Sequence, residues 1–299
     1  MLKSFVNDYC TLYGYPDDAV QALTQAAAAV DADSTMSAYF DSAYAAYQAS
    51  PTDETVINAY KQHKELAADF AVPWQTTELL LFIRFTEHLH VLYRKKNLPE
   101  RYFVGVMDDI RSKAIECHDV IGIWGNRTGD WFIPFFCLDR FAIGRLQYNY
   151  VTMPKCETLD GLYRFEGGEK ALTVHIPSLG PLRSEDVEAS LAEAAAFFAD
   201  DFEGDSVLFN CDSWLLFSGH EEMLPETSNI RRFRQHFHMM ADTPDPTLHD
   251  MWRIFNTLDV KNFAALPRDT GLRRAYAAWL ESGKPVGHAR GVRYIKKQK

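Results

Sequence analysis

The chain has 299 residues, of which 47% are hydrophobic and 24% charged, so it is long enough for two globular domains and too apolar for a disordered protein. Its formal net charge of −10 argues against a general nucleic-acid binder or a binder of anionic membranes, since either needs a large basic face. No apolar run approaches the ~20 residues that span a bilayer, and the first residues lack the pattern of a signal peptide. The five cysteines are widely spaced and form no CxxC motif. We therefore expect a cytoplasmic protein with reduced thiols.

The N-terminal part of the chain has a helical pattern. We predict an all-helical domain over residues 1–125, punctuated by prolines. Ser50 and Pro51 predict one helix start, with Ser50 as the N-cap. Two long helices are predicted over residues 78–96 and 99–123.

Strand patterns begin after a segment rich in Gly and Asn, IGIWGNRTGD, so we predict a second domain over residues 126–299. The predicted strands cover residues 145–153, 162–165, 171–176, 206–211, 251–256 and 292–295, and the second and third of these are predicted to form a hairpin. Helices are predicted over residues 184–202, 228–240 and 270–282. The order indicates an α+β chain, with a helical domain followed by a mixed α/β domain.

Several common site motifs are absent. The sequence contains no GxGxxG after a strand, no GxxxxGK[ST], no GxSxG and no HExxH. The close histidine pairs, His88 with His90 and His236 with His238, are two residues apart on predicted helices and would point to different faces. We therefore predict no metal site.

The most informative stretch runs from residue 172 to residue 216. It has the pattern of a strand (LTVHIP), a turn (SLGPLR), a helix (SEDVEASLAEAAAFF), a strand (SVLFNC) and then DSWLL. A strand that turns directly into a helix presents backbone N–H groups and the positive end of the helix dipole, which suit a phosphate. Gly180 would let a ligand approach the backbone, and Arg183 would add charge. The alternative is a plain connection with Ser184 as the helix cap.

His175 is a candidate catalytic residue. It alternates with apolar residues along its predicted strand, and a half-buried histidine beside a cleft can act as a general base. The alternative is a structural histidine bonded to a backbone carbonyl. Cys211 and Asp212 follow the next strand, whose C-terminal end would lie beside His175 if the two strands are parallel. For Cys211 the alternative is a buried core thiol.

The phrases LTVHIPSLGPL, NCDSWLL and LPETSNIRRF occur in this order, and with them the chain resembles a family of two-domain N-acyltransferases. In that family a helical N-terminal domain precedes a C-terminal domain of the GNAT (acetyl-CoA-dependent N-acetyltransferase) superfamily. The resemblance covers most of the chain. It implies a twisted mixed sheet that splays open between the strands at 171–176 and 206–211, with acetyl-CoA or another acyl-CoA in the wedge.

The resemblance also implies where the acyl-CoA would bind. The thioester carbonyl would face backbone N–H groups near His175 and Ile176, which would stabilise the oxyanion. The pyrophosphate would meet the turn formed by Leu179, Gly180, Leu182, Arg183 and Ser184.

The chain departs from the superfamily pattern at this turn. The usual loop reads [QR]xxGxG or [QR]xxGxA, whereas this chain has SLGPLR, with one glycine. Pro181 has no N–H to donate, and Glu185 and Asp186 add negative charge at the helix start. His175 stands where the superfamily usually has a glutamate.

Three hypotheses follow for the function. The first is transfer of an acyl group, with acetyl as the expected one, to a small-molecule amine by direct attack, with His175 as the base and Asp212 orienting it or the substrate. The second is a non-catalytic GNAT-like module that binds a ligand or partner, which the altered loop favours. The third is transfer through a thioester on Cys211, with His175 forming the thiolate. Neither a nucleic-acid nor a membrane partner is expected, and association into a homo-oligomer is left open.

Overall fold

The chain folds into two compact units in the computed structural model, which describes residues 1–297. The first unit is Met1–Phe141 and the second begins at Ala142. No helix in the described part of the chain combines the length and the apolar character that a membrane crossing requires.

The first unit is built from helices. Its helices are α1 (Leu2–Leu12), α2 (Asp17–Ala32), α3 (Ser34–Ala49), α4 (Asp53–Leu66), α5 (Trp74–Lys95), α6 (Glu100–Ile121) and α7 (Ile133–Phe136). Helix α5 is central, since its run of apolar residues from Leu79 to Ile83 is fully buried. Burial of each such side chain contributes about 1.5–3 kcal/mol relative to an exposed one.

The start of α4 differs from the sequence prediction by two residues. Ser50 was predicted as the N-cap, but the helix begins at Asp53 and Thr52 caps it, with its side chain accepting from the N–H of Thr55. Pro51 precedes the cap and forces an extended approach to the helix.

Residues 126–141 belong to the first unit, although the sequence boundary was placed at 125/126. Helix α6 ends at Gly122 in a left-handed conformation, but the segment that follows is tied back into the helices. The Asn126 amide donates to Glu78 Oε1 over 2.6 Å, and Trp131 Nε1 donates to Asp109 Oδ2 over 2.9 Å. The Gly- and Asn-rich segment is therefore a connection within the unit.

The second unit is an open mixed sheet with short helices. Its elements include β1 (Arg140–Ile143, which spans the division), β2 (Leu146–Thr152), β3 (Cys156–Glu157), β4 (Arg164–Phe165), β5 (Lys170–His175), α8 (Ser184–Phe197), β6 (Ser206–Ser213), α9 (His220–Met223), α10 (Asn229–Arg234), β7 (His238–Pro244), α11 (Trp252–Phe255), α12 (Gly271–Glu281) and β8 (Gly287–Lys296). The six-stranded sheet has the order β1-β2-β5-β6-β8-β7, and β3 pairs with β4 in a separate ribbon.

Strands β5 and β6 are parallel and separate early. Only two residue pairs align them, Leu172 with Phe209 and Thr173 with Asn210. On the other side of β5, the antiparallel pairing with β2 continues to the pair Gln147 and His175. The sheet therefore splays after Thr173, which confirms the α+β fold with a splayed mixed sheet.

Three element predictions in this unit were wrong. Residues 162–165 and 171–176 do not form a hairpin, because β4 pairs with β3 and β5 pairs with β2. Residues 228–240 contain only the short helix α10 followed by β7, and residues 251–256 contain α11 where a strand was predicted. A short apolar run is compatible with either a helix or a strand, and in each case contacts with distant parts of the chain select the structure that forms.

Candidate functional site

One face of the sheet changes from apolar to polar where β5 and β6 separate. Ala171, Leu208 and Val292 lie on this face within a buried apolar cluster. Further toward the carboxyl ends of the strands the same face carries polar side chains; by the strand registers these are Gln147, Asn149, Thr173, His175, Asn210, Asp212 and Arg290. Polar groups at the carboxyl ends of parallel strands are typical of ligand sites in α/β sheets.

His175 is half-buried at the last position of β5. Its Nε2 lies 2.7 Å from Asn149 Oδ1, a carbonyl oxygen that can only accept. Nε2 therefore carries the hydrogen of this contact, and Nδ1 is the nitrogen that can take up a proton. The partner is a side chain on the neighbouring strand, whereas the structural alternative predicted a backbone carbonyl.

Asp212 shares this face with His175, but its ion-pair partner is Arg290. The guanidinium donates to Asp212 Oδ2 through Nη2 at 2.8 Å and Nε at 3.1 Å. Both side chains are about two-fifths exposed, at 38% and 39%. Arg290 on β8 thus orients the carboxylate of Asp212. The side-chain amide of Asn149 orients His175.

Cys211 lies on the opposite face of the sheet. It alternates with Asn210 and Asp212 along β6, and its side chain is fully buried. Helix α8 covers this second face, where Tyr148 Oη and Ser190 Oγ are 2.7 Å apart. Burial raises the pKa of the Cys211 thiol, and the charge of Asp212 raises it further. The structure does not bring Cys211 together with His175, and the thiol has the surroundings of a core residue.

The turn from residue 176 to residue 183 is held by Arg145, which follows β1. Its guanidinium donates to the carbonyls of Pro177, Gly180 and Pro181 over 2.9, 3.2 and 3.1 Å. Because the C=O and N–H of a trans peptide point in opposite directions, the N–H groups of Ser178 and Leu182 are aimed away from Arg145.

The other predicted binding residues lie along the same turn. Gly180 is exposed with φ +63°, and no atom of residues 1–297 lies within 4 Å of the position that a Cβ would occupy. Leu182 is buried and anchors the turn, whereas Ile176 and Leu179 are half-buried. Arg183 is exposed at the N-cap of α8, and its side chain makes no capping hydrogen bond.

These features fit a pyrophosphate only in part. Backbone N–H groups aimed outward, an open glycine and an uncapped first turn of a 14-residue helix suit an anion. Glu185 and Asp186 in that first turn oppose it. Arg145 supplies a positive charge on the other side of the turn.

Two buried amides at the opening have unsatisfied polar atoms. Both Oε1 and Nε2 of Gln147, and Oδ1 of Asn210, lack a hydrogen-bond partner among the described residues. Each unpaired buried group costs about 1–3 kcal/mol. A ligand with both donors and acceptors, such as the amide groups of an acyl-CoA, would satisfy them.

Sequence reasoning missed Arg145, Gln147, Asn149 and Asn210. The alternation of Arg145, Gln147 and Asn149 along the segment RLQYNYVTM was a usable signal, because three polar residues on one face of a central strand are unusual in a core. The described residues contain no group of three or more His, Cys, Asp or Glu side chains that could hold a metal ion.

Comparison with known proteins identifies both parts of the chain. Residues 4–138 match the N-acyltransferase N-terminal domain family, and residues 141–293 match the GNAT-like C-terminal domain family. No curated protein matches the chain.

Several solved structures of acyltransferases share the fold. One in complex with decanoyl-CoA is 19% identical with a TM-score of 0.72, and the match covers 97% of this chain and 87% of that chain. A mutant in complex with octanoyl-CoA is 17% identical, with the same TM-score of 0.72 and the same coverages of 97% and 87%. A complex with decanoyl-CoA and teicoplanin is 20% identical with a TM-score of 0.61; it covers 73% of this chain, which spans only 65% of that one.

The two family matches follow one another along the chain with a gap of two residues, and each coincides with one compact unit of the structure. The chain therefore belongs to the two-domain N-acyltransferase family, in which a helical N-terminal domain precedes a GNAT-like C-terminal domain.

Proposed function

We propose that the protein transfers an acyl group from an acyl-CoA to a small-molecule amine. The observation that carries the proposal is the early separation of β5 from β6, with His175 at the end of β5 and a polar face beside it. The family match supports the choice of acyl-CoA as donor.

The turn from Leu179 to Ser184 would hold the pyrophosphate. The outward N–H groups and Arg183 supply the attraction, and Arg145 keeps the turn in shape. The thioester carbonyl would then face the N–H of Ile176, which would stabilise the oxyanion as it forms.

The amine would attack the thioester carbonyl directly. Its nitrogen bonds to the carbonyl carbon to give the tetrahedral oxyanion, and a proton from the nitrogen passes to Nδ1 of His175. Collapse of the oxyanion breaks the C–S bond, and CoA leaves as a thiolate that takes the proton from His175. Both Arg290 bonds end on Oδ2 of Asp212, so Oδ1 would accept from the incoming amine and hold it near His175. The enzyme would also raise the reaction rate by holding the acyl-CoA and the amine close together.

The acyl group is proposed to be of medium length. Acetyl transfer was the first expectation from the resemblance, but solved structures with this fold hold octanoyl-CoA and decanoyl-CoA. A further solved structure with this fold holds decanoyl-CoA and teicoplanin, so teicoplanin is the first acceptor to test.

A thiol-release assay tests the proposal. The full chain is incubated with acetyl-, octanoyl- or decanoyl-CoA and a panel of primary amines, and free CoA is measured together with the amide product. We expect amine-dependent thiol release that is fastest with octanoyl- or decanoyl-CoA. Failure of every donor to give an amide product would contradict the proposal.

A non-catalytic binding module is the second candidate. It is favoured by the single glycine and Pro181 in the turn, and by the carboxylates of Glu185 and Asp186 at the helix start. Native mass spectrometry separates the two, because a module that has lost acyl-CoA binding would carry no CoA mass after incubation with octanoyl-CoA.

A further inference from the structure

A second cluster of reactive side chains joins the start of α8 to the segment after α10. Ser184 is the first residue of α8, and Glu188 lies one turn later on the same side of the helix. His236 lies against both: its Nε2 is 2.9 Å from Ser184 Oγ, and its Nδ1 is 2.7 Å from Glu188 Oε1.

The charges around this cluster fix the direction of its hydrogen bonds. Arg293 donates to Glu188 through Nη1 and Nη2, over 2.7 and 2.8 Å. Partial burial would raise the pKa of Glu188, but Arg293 and His236 outweigh it and the pKa is lowered. Glu188 is therefore a carboxylate that only accepts, so Nδ1 of His236 carries the hydrogen and Nε2 accepts from the Ser184 hydroxyl.

His236 is suited to act as a base. Burial lowers its pKa, against the opposing effect of Glu188, so the ring is neutral near pH 7. Arg293 Nη1 also lies 3.0 Å from Nδ1 of His236. A lone pair on Nδ1 would face the carboxylate oxygen of Glu188 at 2.7 Å and be repelled by it. The hydrogen therefore stays on Nδ1, and Arg293 is assigned to the carboxylate.

The first turn of α8 can also stabilise an oxyanion. The N–H groups of Glu185 and Asp186 lie in the first turn of the helix, where no carbonyl of the helix is available to them, and no side chain caps this end. A nucleophile, a base, an orienting carboxylate and adjacent backbone donors make up the set that activates a serine in acyl transfer.

We propose that Ser184, His236 and Glu188 form a serine-nucleophile centre that reacts with small, neutral carboxylic esters. Ser184 Oγ bonds to the ester carbonyl carbon while its proton moves to Nε2 of His236, and the C–O bond to the leaving alcohol breaks as the alcohol takes that proton. Water then attacks the acyl-serine, returning a hydrogen to Oγ and releasing a carboxylic acid. The carboxylates of Glu185 and Asp186 disfavour anionic esters and make turnover slow.

Covalent labelling tests this centre without any CoA. The full chain is treated with a neutral alkyl fluorophosphonate: Ser184 Oγ would bond to phosphorus, fluoride would leave, and the proton would pass to His236. Peptide mass spectrometry is expected to place one phosphonyl adduct on Ser184. Ser184 also belongs to the turn proposed to hold the pyrophosphate. Because labelling is measured without CoA, a missing adduct would count against the serine centre alone and would leave the acyl-CoA proposal to its own assay.

Matched variants separate a reactive serine from an exposed one. Ser184→Ala is expected to lose the adduct and the hydrolysis of p-nitrophenyl acetate. Ser228→Ala removes another serine at a helix start, whose hydroxyl accepts from the N–H of Ile230, and is expected to keep both. Glu188→Gln preserves an acceptor for Nδ1 but not the charge, and should slow labelling about tenfold or more at an unchanged melting temperature.

A thiol at the same position gives an independent readout. The thiol introduced by Ser184→Cys, beside His236, should react with iodoacetamide at pH 7 at least about tenfold faster than the half-buried Cys156. The proposal is overturned if folded wild type gives no adduct on Ser184, or if the introduced thiol reacts no faster than Cys156.

Discussion

The ring of His175 is oriented by an uncharged group. Asn149 Oδ1 fixes the hydrogen on Nε2 without adding negative charge, so the ring can accept a proton at Nδ1 and pass it on. The nearby carboxylate of Asp212 is engaged with Arg290 and serves the substrate in our proposal.

Replacement of His175 tests its role at the level of a single residue. His175→Ala is expected to lower turnover by roughly 10²–10⁴, the usual contribution of a general base, while the affinity for acyl-CoA changes little because the turn from 179 to 184 is untouched. Turnover and melting temperature are measured on the same preparations. His238→Ala is the control, since His238 is a strand histidine that contacts Asp160.

A structural role for His175 predicts the opposite pattern. The alanine variant would then melt at a lower temperature and keep its rate per folded molecule. A rate within about threefold of wild type would remove His175 from the mechanism.

His175 could be proposed as a candidate site residue from strand alternation, but its hydrogen-bond partner could not be predicted. Asn149 is 26 positions earlier, and only the register between β2 and β5 brings the two together. The register between β5 and β6 places Cys211 on the far face, which sequence proximity to Asp212 did not reveal.

At the scale of secondary-structure elements, substitutions at Gly180 test whether the turn between β5 and α8 binds acyl-CoA. Gly180→Glu is expected to abolish stabilisation by acyl-CoA, because a carboxylate would replace the open approach to the backbone. Gly180→Ala is the matched control: both variants bear the strain of φ +63°, which costs roughly 1 kcal/mol, but only one adds charge. Equal acyl-CoA binding by the two variants would place the ligand elsewhere.

Arg145 shapes the same turn from outside it. Arg145→Lys keeps the charge but cannot reach three carbonyls at once, so we expect acyl-CoA affinity to fall about tenfold or more with little change in the rate at saturation. Calorimetric titration gives the affinity and the thiol-release assay gives the rate. If charge alone matters, the lysine variant will bind as wild type does.

Helix α5 carries a buried acid whose charge opposes folding. Burial raises the pKa of Glu78 from 4.5 to about 7, although the Asn126 amide partly opposes this. The folded state thus holds a proton that the unfolded state releases, and the stability from this group falls as pH rises from about 4.5 to 7.

The Glu78→Gln variant measures this effect. It keeps an oxygen for Asn126 and removes the charge, so at pH 8 it should be more stable than wild type by up to about 3 kcal/mol, with little difference at pH 4. Buried His63, whose pKa is lowered to about 4, has the opposite pH dependence but is common to both proteins. A stability difference that does not grow with pH would contradict the assignment.

Long periodic helices such as α5 and α6 could be predicted from sequence because their apolar spacing is unambiguous over 22 residues each. The region from residue 228 to residue 256 could not. Strand β7 depends on pairing with β8, and α11 depends on packing against α12, neither of which leaves a local signature.

At the scale of the whole molecule, the division into two units predicts which N-terminal fragment folds cooperatively. A fragment of residues 1–141 retains Asn126, Trp131 and Phe136, which contact buried polar or aromatic groups of the helices. A fragment of residues 1–125 lacks them and leaves the buried carboxylates of Glu78 and Asp109 without these donors. We expect a cooperative thermal transition only for the longer fragment; equal transitions would support the earlier boundary.

We propose that the chain binds acyl-CoA at the opening between β5 and β6, and the thermal unfolding midpoint in the presence of octanoyl-CoA is the decisive measurement. Ligand at ~100 times its dissociation constant adds about 2.7 kcal/mol, which predicts a rise of about 5 °C or more for the full chain and none for Gly180→Glu. An unchanged midpoint of the wild-type protein at millimolar octanoyl-CoA would contradict the account.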